Sequence, residues 1–250
     1  IFMDQNNGIA AGDYNIIIRT TNGGDNWFQV SSGVQNNFEK FSNISFSETN
    51  PENGWISGFN GVILKTVNAG IDWTIKNPGS ADYFWYSDFI NQNTGYVHGE
   101  NGTIMKTTDG GNSFIDSGRF EGLPMDIYFK NENEGIISGR FSFIYRTTNG
   151  GNDWIENRVI LKGSQYNFNK VSFINDSVGF VGGEIVFKTT NFGLTWDSVG
   201  SIDYYVKTTE QAYCIEFADE NTGYSGGTTG TLFKTTNGGG TWGQQQASVF

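Results

Sequence analysis

Short apolar, β-branched runs separated by glycine-rich turns recur along the whole chain. After residue 164 the pattern predicts an inner strand A at 170–174, strand B at 180–183, strand C at 185–190 and an outer strand D at 195–199. Neighbouring apolar residues on strand C, such as Val186 and Phe187, indicate that both faces of the sheet are covered. The pattern therefore predicts an all-β protein built from four-stranded antiparallel units.

The same unit repeats along the chain. Its clearest marker is a basic residue at the end of strand C, which recurs every 40 to 46 residues. These basic residues are Arg19, Lys65, Lys106, Arg146, Lys188 and Lys234. Four strands at this period are typical of a β-propeller blade. We therefore predict six visible blades, with approximate limits 1–36, 37–79, 80–120, 121–163, 164–205 and 206–250.

A turn of nearly constant sequence follows each basic residue. Asparagine or aspartate at its first corner can accept hydrogen bonds from backbone N–H groups just ahead, and a glycine two residues later permits a positive φ. An aromatic ring three residues further on can fold back over the hairpin. The corner and ring pairs are Asn22 and Trp27, Asn68 and Trp73, Asp109 and Phe114, Asn149 and Trp154, Asn191 and Trp196, and Asn237 and Trp242. We predict a structural role for all of them.

This turn, Thr-x-Asn/Asp-x-Gly-x-x-Trp, resembles the Asp-box, or bacterial neuraminidase (BNR) repeat, of sialidase-type β-propellers. The fuller form, with Lys/Arg-Thr-Thr-Asn/Asp-Gly-Gly, is similar to the photosystem II stability/assembly factor repeat family. The resemblance covers nearly the whole chain and implies a single β-propeller domain over residues 1–250, with room for a seventh blade outside this sequence. Because Ile1 falls inside a predicted strand, we also expect the chain to be part of a longer polypeptide or a larger complex.

Alternating strand directions divide the loops into two sets. The A–B turns and the box turns share one end of the sheets, called here the box rim; the B–C loops and D–A connections share the other, called here the loop rim. The loop rim differs from blade to blade, so candidate binding residues are sought there. They are Tyr83, Trp85, Arg119, Phe120, Arg140, Phe141, Arg158, Tyr204 and Tyr205. The alternatives are that the rings pack over blade edges and that the arginines pair with local carboxylates such as Glu121 and Glu156.

Composition limits the partners. A formal charge of −11 and a pI of about 4.5 argue against binding to nucleic acid or to an anionic membrane surface. No run of 18 apolar residues is present, so we expect no direct membrane insertion. The lone cysteine, Cys214, excludes an internal disulfide and is expected to be a buried thiol in a strand.

Candidate catalytic chemistry is sparse. His98 beside Glu100 is the single histidine, and it lacks the partners that a metal site or a catalytic triad requires. Asp88 and Glu216 occupy equivalent strand A positions, and they are either hydrated carboxylates or the pair that glycoside hydrolysis needs. The arginine cluster and nucleophilic tyrosine of sialidases cannot be matched here. No cofactor and no metal are therefore expected.

Three functions remain open. We favour a non-enzymatic propeller module of an extracellular, cell-surface or periplasmic protein that binds a protein or glycan partner through the loop rim. One alternative is a glycoside hydrolase, sialidase-like or endo-glucanase-like. The other, implied by the repeat family, is an assembly factor for a membrane protein complex.

Overall fold

The computed structural model describes residues 1–35, 40–47, 50–76, 78–79, 83–160, 163, 165–183, 185–200, 212–227 and 230–245. The chain forms two compact units, Ile1–Glu121 and Gly122–Phe250. Each unit contains three antiparallel sheets, and in every sheet hydrogen-bonded neighbours are consecutive in sequence. The predicted all-β fold of repeated four-stranded sheets is thus confirmed, and the sheets are the blades of a β-propeller.

The first unit holds sheets one to three. Its strands are β1 (Gly8–Ala11), β2 (Ile17–Thr20) and β3 (Phe28–Val30); β4 (Phe41–Phe46), β5 (Gly54–Gly58), β6 (Ile63–Thr66) and β7 (Thr74–Lys76); and β8 (Phe84–Phe89), β9 (Gly95–Gly99), β10 (Thr103–Thr107) and β11 (Ile115–Arg119). The first sheet has three strands, and an isolated bridge between Phe2 and Gly8 marks its inner edge. Short 3-10 turns at Phe59–Gly61 and Glu100–Gly102 form two of the B–C loops.

The second unit holds sheets four to six. Its strands are β12 (Pro124–Phe129), β13 (Gly135–Gly139), β14 (Phe143–Thr147) and β15 (Ile155–Arg158); β16 (Phe168–Phe173), β17 (Gly179–Gly183), β18 (Val186–Thr189) and β19 (Asp197–Gly200); and β20 (Ala212–Phe217), β21 (Gly223–Gly227), β22 (Leu232–Thr235) and β23 (Gly243–Gln245). The order A, B, C, D in these three sheets follows the sequence prediction, and the strand limits in the fifth sheet differ from the predicted ones by one or two residues.

Each sheet is locked internally by a phenylalanine at the end of its inner strand. A Cβ placed on Gly54 or Gly135 would come within 3 Å of the Phe46 or Phe129 ring, so only glycine fits at the start of strand B. The box tryptophan of the same sheet meets that ring edge-on, with centroids 5.9 Å apart for Phe129 and Trp154. The inner strand, the following turn and the box are therefore one packed unit.

Neighbouring sheets pack through aromatic rings. In the first unit, Trp55 of strand β5 stacks on Phe89 with centroids 3.8 Å apart. In the second unit, Phe180 of strand β17 stacks on Phe217 at 3.5 Å. All these rings are buried, which explains why the strands are apolar on both faces.

Side chains of one inner strand also accept hydrogen bonds from backbone N–H groups at the edge of the next inner strand. The backbone N–H of Ser87 donates to Asn43 Oδ1 at 3.2 Å, and the N–H of Val171 donates to Asp126 Oδ2 at 2.9 Å. Lys170 Nζ lies 3.0 Å from the same Asp126 carboxylate. Burial raises the pKa of Asp126 and outweighs the opposing influence of Lys170.

The sixth sheet departs from the others on one face. Phe180 and Val186 of the fifth sheet are fully buried, whereas their counterparts Tyr224 and Leu232 are 40% and 41% exposed. Cys214 is exposed as well, so the expectation of a buried thiol was wrong. The reason is that its inner-strand position lies on this uncovered face. A seventh blade outside the sequence stays a prediction.

Candidate functional site

A threonine hydroxyl stands at the centre of each box turn. Thr147 Oγ1 donates to Asn149 Oδ1 at 3.1 Å and accepts hydrogen bonds from the backbone N–H groups of Asn149 and Gly151, at 3.3 and 2.9 Å. Asn149 Oδ1 in turn accepts from the N–H of Asp153 at 2.9 Å. Thr147 is fully buried, and its hydroxyl is the acceptor for the buried Gly151 N–H in this network.

The same four hydrogen bonds occur in every box. The central threonines are Thr20, Thr66, Thr107, Thr147, Thr189 and Thr235. In the third box the corner is Asp109, and hydrogen bonds from the hydroxyl and the backbone N–H of Ser113 hold its pKa at about 2. The box rim is thus occupied by six similar structural networks. The sequence analysis included this threonine in the motif but assigned it no role.

Each box also holds two successive residues in the left-handed region. The predicted glycine is the second of them, as at Gly70 with φ 77°. The first is a glycine in four boxes, but it is Ala69 (φ 54°) in the second and Phe192 (φ 50°) in the fifth. The carbonyls of Ala69 and Phe192 accept hydrogen bonds from Arg19 and Arg146 of the preceding sheets. The basic residue of the repeat therefore joins one sheet to the box of the next.

The loop rim of the first unit carries a cluster of aromatic rings. Phe59 of the second sheet stacks on Tyr83 with centroids 4.7 Å apart, and Trp85 meets Phe59 edge-on at 5.5 Å. Trp85 is 41% exposed and lies at a β-bulge of strand β8, which frees its side chain from the regular alternation. Lys40 Nζ lies 5.8 Å from the Phe59 centroid. Two predicted residues, Tyr83 and Trp85, thus both contact Phe59. The sequence analysis did not name Phe59 or Lys40 as candidates.

The other two candidates of the first unit differ from each other. Arg119 is exposed, and its guanidinium donates to Thr103 Oγ1 at 3.5 Å. Phe120 is buried, with its ring against Gly118, as the alternative of a ring packed over a blade edge would have it. Its role in contacting a partner stays a prediction.

The second unit groups Arg140, Phe141 and Arg158 on its loop rim. Phe141 is 46% exposed, and its carbonyl accepts a hydrogen bond from Arg158 Nε at 3.3 Å. The Arg158 guanidinium also lies 4.5 Å from the centroid of the Phe143 ring. Among the described residues, Arg119, Arg140 and Arg158 form no ion pair, so the expected pairing with Glu121 or Glu156 is not seen there.

The remaining candidates are divided between the two units and the part of the chain outside the described residues. Tyr204 and Tyr205 lie outside the described residues. His98 is buried and stacks on Tyr86 with centroids 5.4 Å apart. Asp88 belongs to the first unit and Glu216 to the second, where Ser172 Oγ donates to Glu216 at 3.0 Å. Within the described ranges, no group of three or more histidine, cysteine, aspartate or glutamate side chains could hold a metal ion.

One groove opens beside a box in the second unit. It has a volume of about 280 Å³ and is lined by Arg146, Ile155, Glu156, Asn157, Gly193 and Leu194. Arg146 is already engaged by Glu134 at 3.4 Å and by the Phe192 carbonyl. Asn157 Nδ2 donates to the carbonyls of Gly193 and Leu194. Arg146 and Asn157, two of the polar groups that line the groove, thus hold two sheets together.

These features define a β-propeller of the Asp-box type, with a uniform box rim and a loop rim that presents rings and guanidinium groups. A sequence model of the Photosynthesis system II assembly factor YCF48 family matches residues 1–78 and 117–203. The chain therefore belongs to this family, as the sequence of its repeats suggested. No curated protein matches the chain significantly.

Solved structures show the same fold at low identity. A structure titled YCF48 bound to D1 peptide superposes with a TM-score of 0.75 and 18% identity, covering 97% of this chain and 78% of that chain. YCF48 from Cyanidioschyzon merolae gives 0.73 and 17%, with 98% and 83% covered. The Niastella koreensis GH74 enzyme gives 0.71 and 16%, with 91% and 42% covered. The propeller fold thus occurs in both assembly factors and glycoside hydrolases, and fold alone does not separate these functions.

No helix in the described ranges has the length and apolar character needed to cross a membrane.

Proposed function

We propose that this propeller is a non-catalytic binding module with an assembly role, which holds a segment of a protein partner on its loop rim. Membership of the YCF48 family supports the assembly role. A peptide is bound in one structure of similar fold, which favours a protein partner over a glycan.

The observation that carries the proposal is the loop-rim cluster in which Phe59 and Tyr83 are half-buried and Trp85 is 41% exposed. Rings that touch one another on a rim, rather than in the core, keep surface that a partner can cover. Tryptophan and arginine dominate the binding energy of interfaces, and Trp85 in the first unit and Arg140 and Arg158 in the second are exposed. The box rim lacks such variation because its turns repeat.

The test starts from the intact chain. Tagged protein is used to capture partners from cells of the source organism, and overlapping 15-residue peptides of the captured proteins are arrayed and probed with the purified chain. Trp85→Ala should weaken binding about 30-fold, the equivalent of about 2 kcal/mol.

The control is Val67→Ala, which truncates an apolar side chain that is 63% exposed and belongs to a box turn. Unchanged peptide binding by Trp85→Ala, with binding lost by Val67→Ala, would place the interface on the box rim instead. Steady hydrolysis of xyloglucan or an aryl sialoside that Asp88→Asn or Glu216→Gln abolishes would overturn the non-catalytic assignment.

A further inference from the structure

The B–C loops share a strained backbone feature. In the second and third sheets two successive residues adopt the left-handed region, Asn60 with Gly61 (φ 55° and 74°) and Asn101 with Gly102 (φ 61° and 76°). Asparagine and glycine are the residues that tolerate this region best. In the first sheet the same two positions are held by Tyr14 and Asn15, with φ of 62° and 61°. A tyrosine thus stands where the local backbone favours asparagine.

Folding does not explain Tyr14. Its side chain is 67% exposed, the highest value among the large apolar residues that the structure describes. Within the described residues its ring stacks on no other ring and its hydroxyl has no hydrogen bond. The strained backbone is therefore not offset by burial of the ring, and an unfavoured conformation that the structure nevertheless maintains is a frequent mark of a functional position.

Tyr14 is also connected to the aromatic cluster. Asp13 forms a backbone bridge with Lys40, and its carboxylate lies 3.6 Å from Lys40 Nζ. Lys40 Nζ in turn lies 5.8 Å from the centroid of Phe59, which contacts Tyr83 and Trp85. We call Tyr14, Lys40, Phe59, Tyr83 and Trp85 the aromatic strip. Its members lie on the loop rims of three successive sheets, and Tyr14 is linked to the others through the Asp13–Lys40 pair rather than by a ring contact.

We propose that Tyr14 is a second anchor of the binding site and that the ligand is an extended polypeptide segment laid along the aromatic strip. This inference rests on the proposed function. A compact ligand would meet one loop, whereas an extended chain presents side chains at regular intervals to successive loops.

The polar groups around Tyr14 favour a polypeptide over a sugar. Sugar-binding sites combine a stacking ring with polar side chains that orient the ligand. Here the Asp13 carboxylate faces Lys40, and Asn15 is 8% exposed with its Nδ2 donating to the Val34 carbonyl at 3.5 Å. The charged and amide groups nearest to Tyr14 are therefore already paired within the protein, whereas its ring and hydroxyl are open to a partner.

The experiment uses the intact chain and a peptide that binds wild type in the array above, synthesised at 15 residues and shortened in steps to the minimum that still requires Trp85. Tyr14→Asn should raise Tm, because asparagine tolerates the left-handed backbone. It should also weaken binding of the 15-residue peptide at least tenfold. It should leave the minimal peptide's affinity within twofold of wild type. Tyr14→Phe, which keeps the ring, should bind both peptides like wild type.

The outcomes separate this inference from the proposed function. If Trp85→Ala abolishes binding of the 15-residue peptide and Tyr14→Asn does not, Tyr14 is not an anchor and the proposed function stands. If neither substitution affects binding, the proposed function itself fails. A lower Tm for Tyr14→Asn would refute the strain argument. Binding of xyloglucan oligosaccharides that Tyr14→Asn removes would show a glycan ligand and overturn the polypeptide assignment.

Discussion

The threonine at the centre of the box turn provides the sharpest test of how the repeat is stabilised. Replacing Thr147 by valine keeps the shape of the side chain and removes only the hydroxyl. The buried Gly151 N–H then loses its 2.9 Å partner, and the hydrogen bonds to Asn149 are lost as well. Each lost hydrogen bond costs about 0.5–1.5 kcal/mol, so the loss of all three is expected to cost about 1.5–4.5 kcal/mol.

The neighbouring residue provides a matched control. Thr148 follows Thr147 in the sequence but is exposed, so Thr148→Val should change stability by less than about 0.5 kcal/mol. Thr147→Ser restores the hydroxyl and should recover most of the loss. Free energies of unfolding are measured by denaturant titration, and hydrogen exchange of the Gly151 amide reports on the box itself, which matters because the chain has two units. Equal stability of Thr147→Val and wild type, or equal damage from the serine and valine variants, would refute the role assigned to the hydroxyl.

Three further predictions concern the backbone and the charges. Ala69→Gly should raise stability by up to about 1 kcal/mol in thermal melts, because a left-handed alanine costs about 1–2 kcal/mol and glycine adds about 0.5–1 kcal/mol of backbone entropy; lower stability would contradict this. Burial raises the pKa of Asp126, so its contribution to stability is greatest below the ordinary value of 3.8 and falls as pH rises through the raised folded value. In unfolding titrations from pH 4 to 7, the stability of Asp126→Asn relative to wild type should therefore increase with pH. A stability difference independent of pH would disprove the shift. Hydrogen bonds from Ser113 lower the pKa of Asp109 to about 2, so this group stabilises the fold above 3.8 and loses that contribution as pH falls toward 2; Asp109→Asn should remove this acid dependence, and an NMR titration midpoint near 3.8 in wild type would argue against it.

The sequence determined the repeated part of the molecule. Strand order, box turns and left-handed glycines such as Gly70 depend on residues close together in the chain, so the sequence alone predicts them. Six copies of the same local solution made the propeller class evident, and the family match agrees with it. The threonine hydroxyl was equally local, but its central role depends on turn geometry that residue types alone do not specify.

Tertiary structure decided which residues are available to a partner. Phe59 contacts both Tyr83 and Trp85 because neighbouring sheets bring separate loops together, and the exposure of Trp85 leaves no clear sign in the sequence. Phe120 was sought on the surface and is buried, whereas Cys214 was expected to be buried and is exposed, although both were assigned from equally plausible patterns. Burial depends on what lies across from a residue, and that neighbour is usually distant in the sequence.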